Sequence, residues 1–262
     1  MEQIKSFERI SSLISSCMKK GVKTNNFLTA ADYEADIASG SLFCHTWPGG
    51  LLVLRRRKGY NRLYFHIFEP YRPPEIEINE LTVLELPMRP DDAEGGLLSE
   101  YWKNAGFKVR LNRIRLQRSE AQPFPEISED REIRKPQPPD LEALVKLYEG
   151  CFDRYTGCIP NMEELRAIVD GGNIFCALAP DKSIGGFIQF TPYPNSRIRH
   201  LAVREDLRGK GISKALIAYY LWSIRPKRSL VWTAEDNKPA QRAYTGCGYR
   251  RDGWQSVVLI NS

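Results

Sequence analysis

Apolar and polar positions alternate along this chain in two rhythms, one helical and one extended. Behind Asp140, apolar Leu141, Leu144, Val145, Leu147 and Tyr148 recur at helical intervals, which predicts a helix capped by that aspartate. A Gly/Pro-interrupted loop at 157–160 leads to a second helix over 162–169, closed by the turn at 170–173. Extended runs at 174–178 and 184–190 flank the turn Ala-Pro-Asp-Lys-Ser and read as a hairpin. After Pro-Tyr-Pro-Asn-Ser the pattern predicts a strand at 197–203, a helix at 211–224, a strand at 230–233, a helix at 239–245 and a last strand at 255–260. With a short strand near 132–135 the order is β-α-α-β-β-β-α-β-α-β. That is an α/β chain of α+β character, a mixed sheet with helices on its faces.

The first half reads less clearly. Helical spacing covers 4–20 and 29–38, and the stretch Gly49 to Phe68 holds two β-rich runs about a basic turn, a hairpin. An apolar strand follows at 81–86 and a helix opening in acidic residues at 91–105. Trp102, Gly106 and Phe107 then repeat the spacing of Tyr244, Gly248 and Tyr249, each group running into a strand. This echo predicts two related domains in tandem. Five prolines (Pro123, Pro125, Pro136, Pro138, Pro139) fix φ and remove donors between them, so the expected division is 1–122, a linker at 123–130, and 131–262.

Charge narrows the function classes. The 262 residues carry 38 Lys and Arg against 32 Asp and Glu, a net of +6 shared equally by the halves, with no basic tail. Such an even spread argues against a dedicated nucleic-acid binder and suits an enzyme taking an anionic cofactor. The longest apolar stretch, about eight residues, falls far short of the roughly 20 that span a bilayer. Glu2, Lys5 and Glu8 interrupt any signal-peptide core. Cys17, Cys44, Cys151, Cys158, Cys176 and Cys247 include no C-x-x-C pair and do not group with the three histidines. The expectation is a cytoplasmic protein without a metal.

The segment Arg199 to Leu221 carries the most chemistry. A strand ends at Val203, and Arg208-Gly209-Lys210-Gly211-Ile212-Ser213 opens an amphipathic helix. Glycines there permit a tight turn and close approach of a ligand to the backbone. Unpaired amides at a helix start make an anion site, with Arg208 and Lys214 as nearby charge. The pattern is neither a Walker A loop nor the dinucleotide fingerprint, and a glycine pair also suits a plain N-cap turn.

A second segment follows one strand later, with Asn237, Ala240, Tyr244, Gly248 and Tyr249 at fixed spacing. Together the two resemble the GCN5-related N-acetyltransferase (GNAT) superfamily. Its first motif, V-x-x-x-x-R-G-x-G-x-(G/A/S), is matched by Val203, Arg208, Gly209, Gly211 and Ser213; its second, N-x-x-A-x-x-x-Y-x-x-x-G-(F/Y), runs from Asn237 to Tyr249. The resemblance spans 131–262 and implies two tandem GNAT-like domains, each a mixed, mainly antiparallel sheet flanked by helices.

It further implies that the amides of Gly209, Lys210, Gly211, Ile212, Ser213 and Lys214 cradle the pyrophosphate of acetyl-CoA. Leu201, Ala202 and Val203 would pair with the pantetheine arm, and a backbone N–H near Val203 would polarise the thioester carbonyl. Asn237 would lie beside the pantetheine. Tyr244 would protonate the departing thiolate as an amine attacks directly, the amine belonging to a small molecule or peptide that the sequence does not identify. For a general base the candidates are His200 and Glu235. Strict alternation would put Arg197, Arg199, Leu201 and Val203 on one face and Ile198, His200 and Ala202 on the other. Cys247 lies close by, but with no His–Asp partner pattern it reads as a buried thiol.

The first half shows no second Arg-Gly-Lys-Gly turn, and Trp102 stands in the place of Tyr244. Its expected role is a degenerate copy that binds no CoA. Two other readings stay open: an acyl-CoA-binding regulatory module without turnover, and a nucleic-acid-binding module using Arg55, Arg56, Arg57 and Lys58 with the aromatics behind them. A homodimer is compatible with all of these.

Overall fold

The computed structural model describes the chain except residues 19–20, 69, 75–79, 128–130, 192–194 and 262. The end of the expected first helix, the Pro-Tyr-Pro part of one turn and the last residues of the expected linker therefore lie outside the described residues. The chain divides into two compact units, Met1–Arg113 with Trp254–Ser262, and Ile114–Gly253. The division differs from the proline-based one at both ends. Residues 114–122 count with the second unit, and the tail from Trp254 counts with the first.

The first unit runs β1 (Glu2–Gln3), α1 (Phe7–Cys17), β2 (Lys23–Thr24), α2 (Ala30–Ala38), β3 (Leu42–Trp47), β4 (Gly50–Arg57), β5 (Tyr60–Ile67), β6 (Thr82–Met88) and α3 (Ala93–Asn104). β1, β3, β4 and β5 pair antiparallel in turn, β5 and β6 pair in parallel, and β2 lies on β5. The apolar run of β4 is buried on both faces. Leu51 and Val53 pack with Ile10, Cys17 and Tyr33 of α1 and α2, whereas Leu52 and Leu54 share a cluster with Leu98 and Trp102 of α3. β3 went unread in the sequence because Leu42 to Trp47 mixes His and Thr with its apolar residues. Thr29 and Asp32 form a capping box that starts α2.

β7 (Phe107–Ser119) begins in the first unit and ends in the second. The second unit continues β8 (Ile133–Arg134), α4 (Leu141–Cys151), α5 (Met162–Asp170), β9 (Ile174–Leu178), β10 (Ile184–Phe190), β11 (Asn195–Val203), α6 (Ile212–Ile224), β12 (Arg228–Ala234), α7 (Lys238–Thr245) and β13 (Arg250–Asn261). β8 through β11 pair antiparallel in turn, and β11 meets β12 in parallel. From Gln255 onward β13 lies antiparallel on β6 of the first unit, so this last strand is longer than its apolar core of 255–260.

One expected cap is placed differently. Asp140 precedes α4, but a 3-10 turn at Pro138–Asp140 intervenes, and the carboxylate turns back to accept from the Gln137 amide at 2.6 Å and from both Arg134 Nη atoms. Asn161 does cap α5, in a box with Glu164.

Candidate active site

β11 positions the site. Opposite β10 its register shifts between Gln189 and Phe190, so that Gln189 faces His200 while Phe190 faces Ile198. Arg199 is the extra residue of a β-bulge. The bulge corrects the expected alternation: Ile198 shares the α6-side core with Leu201 and Val203, while Ala202 belongs to the cluster under α4 and α5. On its other edge β11 pairs with β12 only from Asn195↔Arg228 to Ile198↔Val231. Beyond Ile198 the two strands part, and no strand among the described residues covers the edge of Leu201, Ala202 and Val203.

The chain then makes a short 3-10 turn at Glu205–Leu207 and reaches Gly209 and Gly211, both left-handed with φ of +78° and +81°. A Cβ on either would meet nothing within 4 Å, so both face open space. Gly211 is the N-cap of α6, and the first helical bond recorded there runs from the Ala215 amide to Gly211 O, 3.1 Å. Among the described residues the amides of Gly209, Lys210, Gly211, Ile212, Ser213 and Lys214 find no acceptor. Consecutive donors of this kind at the head of a 13-residue helix are the groups that could hold an anion.

Charge near the cradle is partly committed elsewhere. Arg208 donates from Nε to Val203 O at 3.4 Å and lies 3.9 Å from Glu205. Arg131, which the sequence did not single out, reaches Lys210 O at 2.5 Å. Lys214 is exposed, its stem against Gly246 at the end of α7. Among the described residues no three His, Cys, Asp or Glu side chains group to hold a metal, and no helix is long and apolar enough to cross a membrane.

Tyr244 sits on α7, 4% exposed, with its ring edge to face against Tyr249 and in the α6-side core. Burial raises its hydroxyl well above the ordinary phenol value, so it is protonated at neutral pH. No described residue hydrogen-bonds that hydroxyl. Asn237 is the N-cap of α7, its Oδ1 accepting from the Ala240 amide at 3.1 Å. Cys247 is buried, and burial pushes its thiol up to about 11, against Lys214 and Arg118, which leaves it a poor nucleophile.

The two base candidates stand in different surroundings. Glu235 is exposed on the turn after β12. His200 is buried, with Nδ1 2.6 Å from Gln189 Oε1 and Nε2 2.5 Å from Gly157 O, and with Tyr148 and Phe152 edge-on to its ring. Tyr148 also donates to Gln189 Oε1 at 2.8 Å. His200 thus ties β11 to the α4–α5 loop. Nothing in the local spacing announces Gln189, Tyr148 or Gly157, which lie 11, 52 and 43 positions away.

The basic run of the first unit is committed internally in part, while Arg56 and Lys58 remain exposed. Arg55 is buried in an ion pair with Asp36, Arg57 lies 3.9 Å from the same carboxylate, and Arg56 covers the Phe43 ring at 4.2 Å. A nucleic-acid surface needs such groups free.

Residues 148–258 match the family model described as an acetyltransferase (GNAT) domain. No curated protein matches the sequence. Among solved structures, a GNAT-family acetyltransferase from Colwellia psychrerythraea aligns over 99% of this chain and 98% of its own, with 14% identity and a TM-score of 0.61. A GCN5-related N-acetyltransferase from Sphaerobacter thermophilus aligns over 96% and 91%, at 17% identity and 0.59. A tandem GNAT protein from the clavulanic acid biosynthesis pathway aligns over 81% and 78%, at 12% identity and 0.56. At these identities the likeness is one of fold, and in the first two cases it extends over both units.

Proposed function

We propose that this chain, which carries a GNAT domain over residues 148–258, transfers an acetyl group from acetyl-CoA directly to an amine. The observation that carries the reading is the run of six unpartnered amides at the head of α6, placed directly after a strand whose edge opens beyond Ile198. The amides of Gly209 to Lys214 would hold the pyrophosphate, where open space over both glycines leaves room for it. The uncovered edge at Leu201, Ala202 and Val203 would accept an extended arm as an added strand, and an N–H near Val203 would polarise the carbonyl. Acetyl-CoA supplies the activated thioester.

The acceptor nitrogen forms a bond to the acetyl carbon as the carbon–sulfur bond breaks. Tyr244, kept protonated by burial, donates its proton to the departing sulfur. The proton shed by the amine passes to Glu235, which is exposed, and not to His200, whose two ring nitrogens both already face amide oxygens. Asn237 acts through α7, holding the helix start that carries Tyr244. Six free cysteines suit a reducing compartment, and we place the protein in the cytoplasm.

Thermal unfolding with acetyl-CoA, against ATP and NAD, tests the reading. Ligand at about 100 times its Kd stabilises the folded state by about 2.7 kcal/mol. A selective rise with acetyl-CoA, followed by thiol release with an amine acceptor, supports the enzyme. Binding without turnover on any amine would make the chain an acyl-CoA-binding module, and no shift at millimolar acetyl-CoA would overturn the cofactor.

A further inference from the structure

The first unit repeats the parting of strands seen in the second. β5 and β6 pair in parallel only at Asn61↔Thr82, Arg62↔Val83 and Leu63↔Leu84, and then separate. In the second unit the equivalent edge, that of β11 beyond Ile198, faces no strand among the described residues. In the first it is covered by the chain itself. β2 pairs antiparallel with the end of β5, Lys23↔Ile67 and Thr24↔His66.

Two side chains extend that pairing toward the point of separation, and a third ties the segment to the neighbouring helix. Asn25 is buried and makes the two bonds a strand backbone would make, accepting from the Phe65 amide at 2.8 Å and donating to Leu63 O at 3.1 Å. Thr24 donates from Oγ1 to Phe65 O at 2.6 Å. Lys23 crosses to the head of α3, with Nζ 2.8 Å from Asp92 and 2.9 Å from Glu94. Asp92 is the N-cap of that helix, so a carboxylate and an ammonium already occupy the helix start. What remains between β2, β5, β6 and α3 is a cavity of about 30 Å³, lined by Thr24, Phe65, Leu86 and Leu98 among others. That is space for a water or two and no more. Among the described residues between Ile67 and Thr82 there is no helix.

We propose that residues 23–25 are a built-in occupant of the first unit's strand cleft, standing where the second unit leaves room for an acyl-CoA arm. The chain then takes one acyl-CoA, in the second unit, and the first unit is closed to it by its own backbone. This rests in part on the reading that the second unit binds acyl-CoA, and the test separates the two.

The test pairs calorimetric titration of the full chain with acetyl-CoA and hydrogen exchange of β5 in Asn25→Ala. The expected results are one site per chain, none in Gly211→Trp, and exchange at the Phe65 amide about tenfold faster in Asn25→Ala with β11 unchanged. Two sites per chain, or binding that survives Gly211→Trp, overturns the closed first unit. Unaltered β5 exchange overturns the role of residues 23–25 even if no acetyl-CoA binds. No binding to the wild-type chain, with faster β5 exchange, sinks the cofactor reading and leaves the built-in occupant standing.

Discussion

Trp102 and Phe107 meet edge to face, ring centroids 5.4 Å apart and planes inclined by 73°. Tyr244 and Tyr249 repeat the contact in the second unit at 5.5 Å and 60°. In both, a helix ends, a glycine four positions after the first ring takes a left-handed turn, and the next ring folds back over the last helical turn. The glycines are Gly106 at φ +93° and Gly248 at φ +86°. The spacing shared by the two halves is therefore one structural device used twice. The difference lies in the first ring: Tyr244 offers a hydroxyl, while the indole Nε1 of Trp102 is buried without a partner among the described residues.

The shared turn predicts the cost of filling it. Gly106→Ala forces a Cβ into the left-handed region with open space around it, so the penalty is conformational, about 1–2 kcal/mol. Gly248→Ala should cost about as much, because its Cβ would make only ordinary contacts, 3.4 Å from Arg118 Nε and from Gln122 Oε1, and the left-handed φ again carries the penalty. Urea unfolding measures both, and equal stability of the wild type and Gly106→Ala would refute the argument.

Tyr244→Phe removes only a hydroxyl that no described residue holds, so the fold and the acetyl-CoA affinity should survive. Turnover should fall about 10²–10⁴-fold, the range for loss of a positioned general acid. Undiminished kcat would take Tyr244 out of the mechanism.

Gly211→Trp should abolish acetyl-CoA binding, since the indole would cover the amides at the head of α6. The left-handed φ adds about 1–2 kcal/mol of strain. Gly211→Ala shares the strain but covers less of the cradle, so it should bind more weakly than wild type and still measurably. A titration in which both variants bind like wild type would place the anion elsewhere.

His66 supplies a pH dependence confined to the first unit. It is buried, Nε2 lies 3.0 Å from Asn26 Nδ2, and burial lowers the ring to about 4. The unfolded chain binds this proton near pH 6.5, the folded one near 4. Stability from a neutral His66 is thus whole above about pH 6.5 and is lost progressively as the pH falls to about 4, at most about 3 kcal/mol. Denaturation curves across that window should be flatter for His66→Gln, and an identical slope would assign the acid sensitivity to other groups.

The sequence by itself determined what depends on neighbours a few positions apart. The element order of the second half, the capping boxes at Thr29 and Asn161, and the left-handed glycines 209, 211 and 248 all follow from period, cap chemistry and the absence of a Cβ. The two motifs that carry the acetyltransferase resemblance are local in the same sense. Tertiary structure alone decided the rest. The bulge at Arg199 lies in the pairing of β11 with β10, and it moves Ile198 to the face of Leu201, so that both enter the same core. Asn25 finds Phe65 across 40 positions, and His200 finds Gly157 across 43. Arg55 reads as part of an exposed basic run until Asp36, 19 residues earlier, is brought beside it. The final strand completes a unit that began with Met1. Periodicity says that an edge or a face exists; which distant segment satisfies its hydrogen bonds and buries its apolar side is settled only when the chain closes on itself.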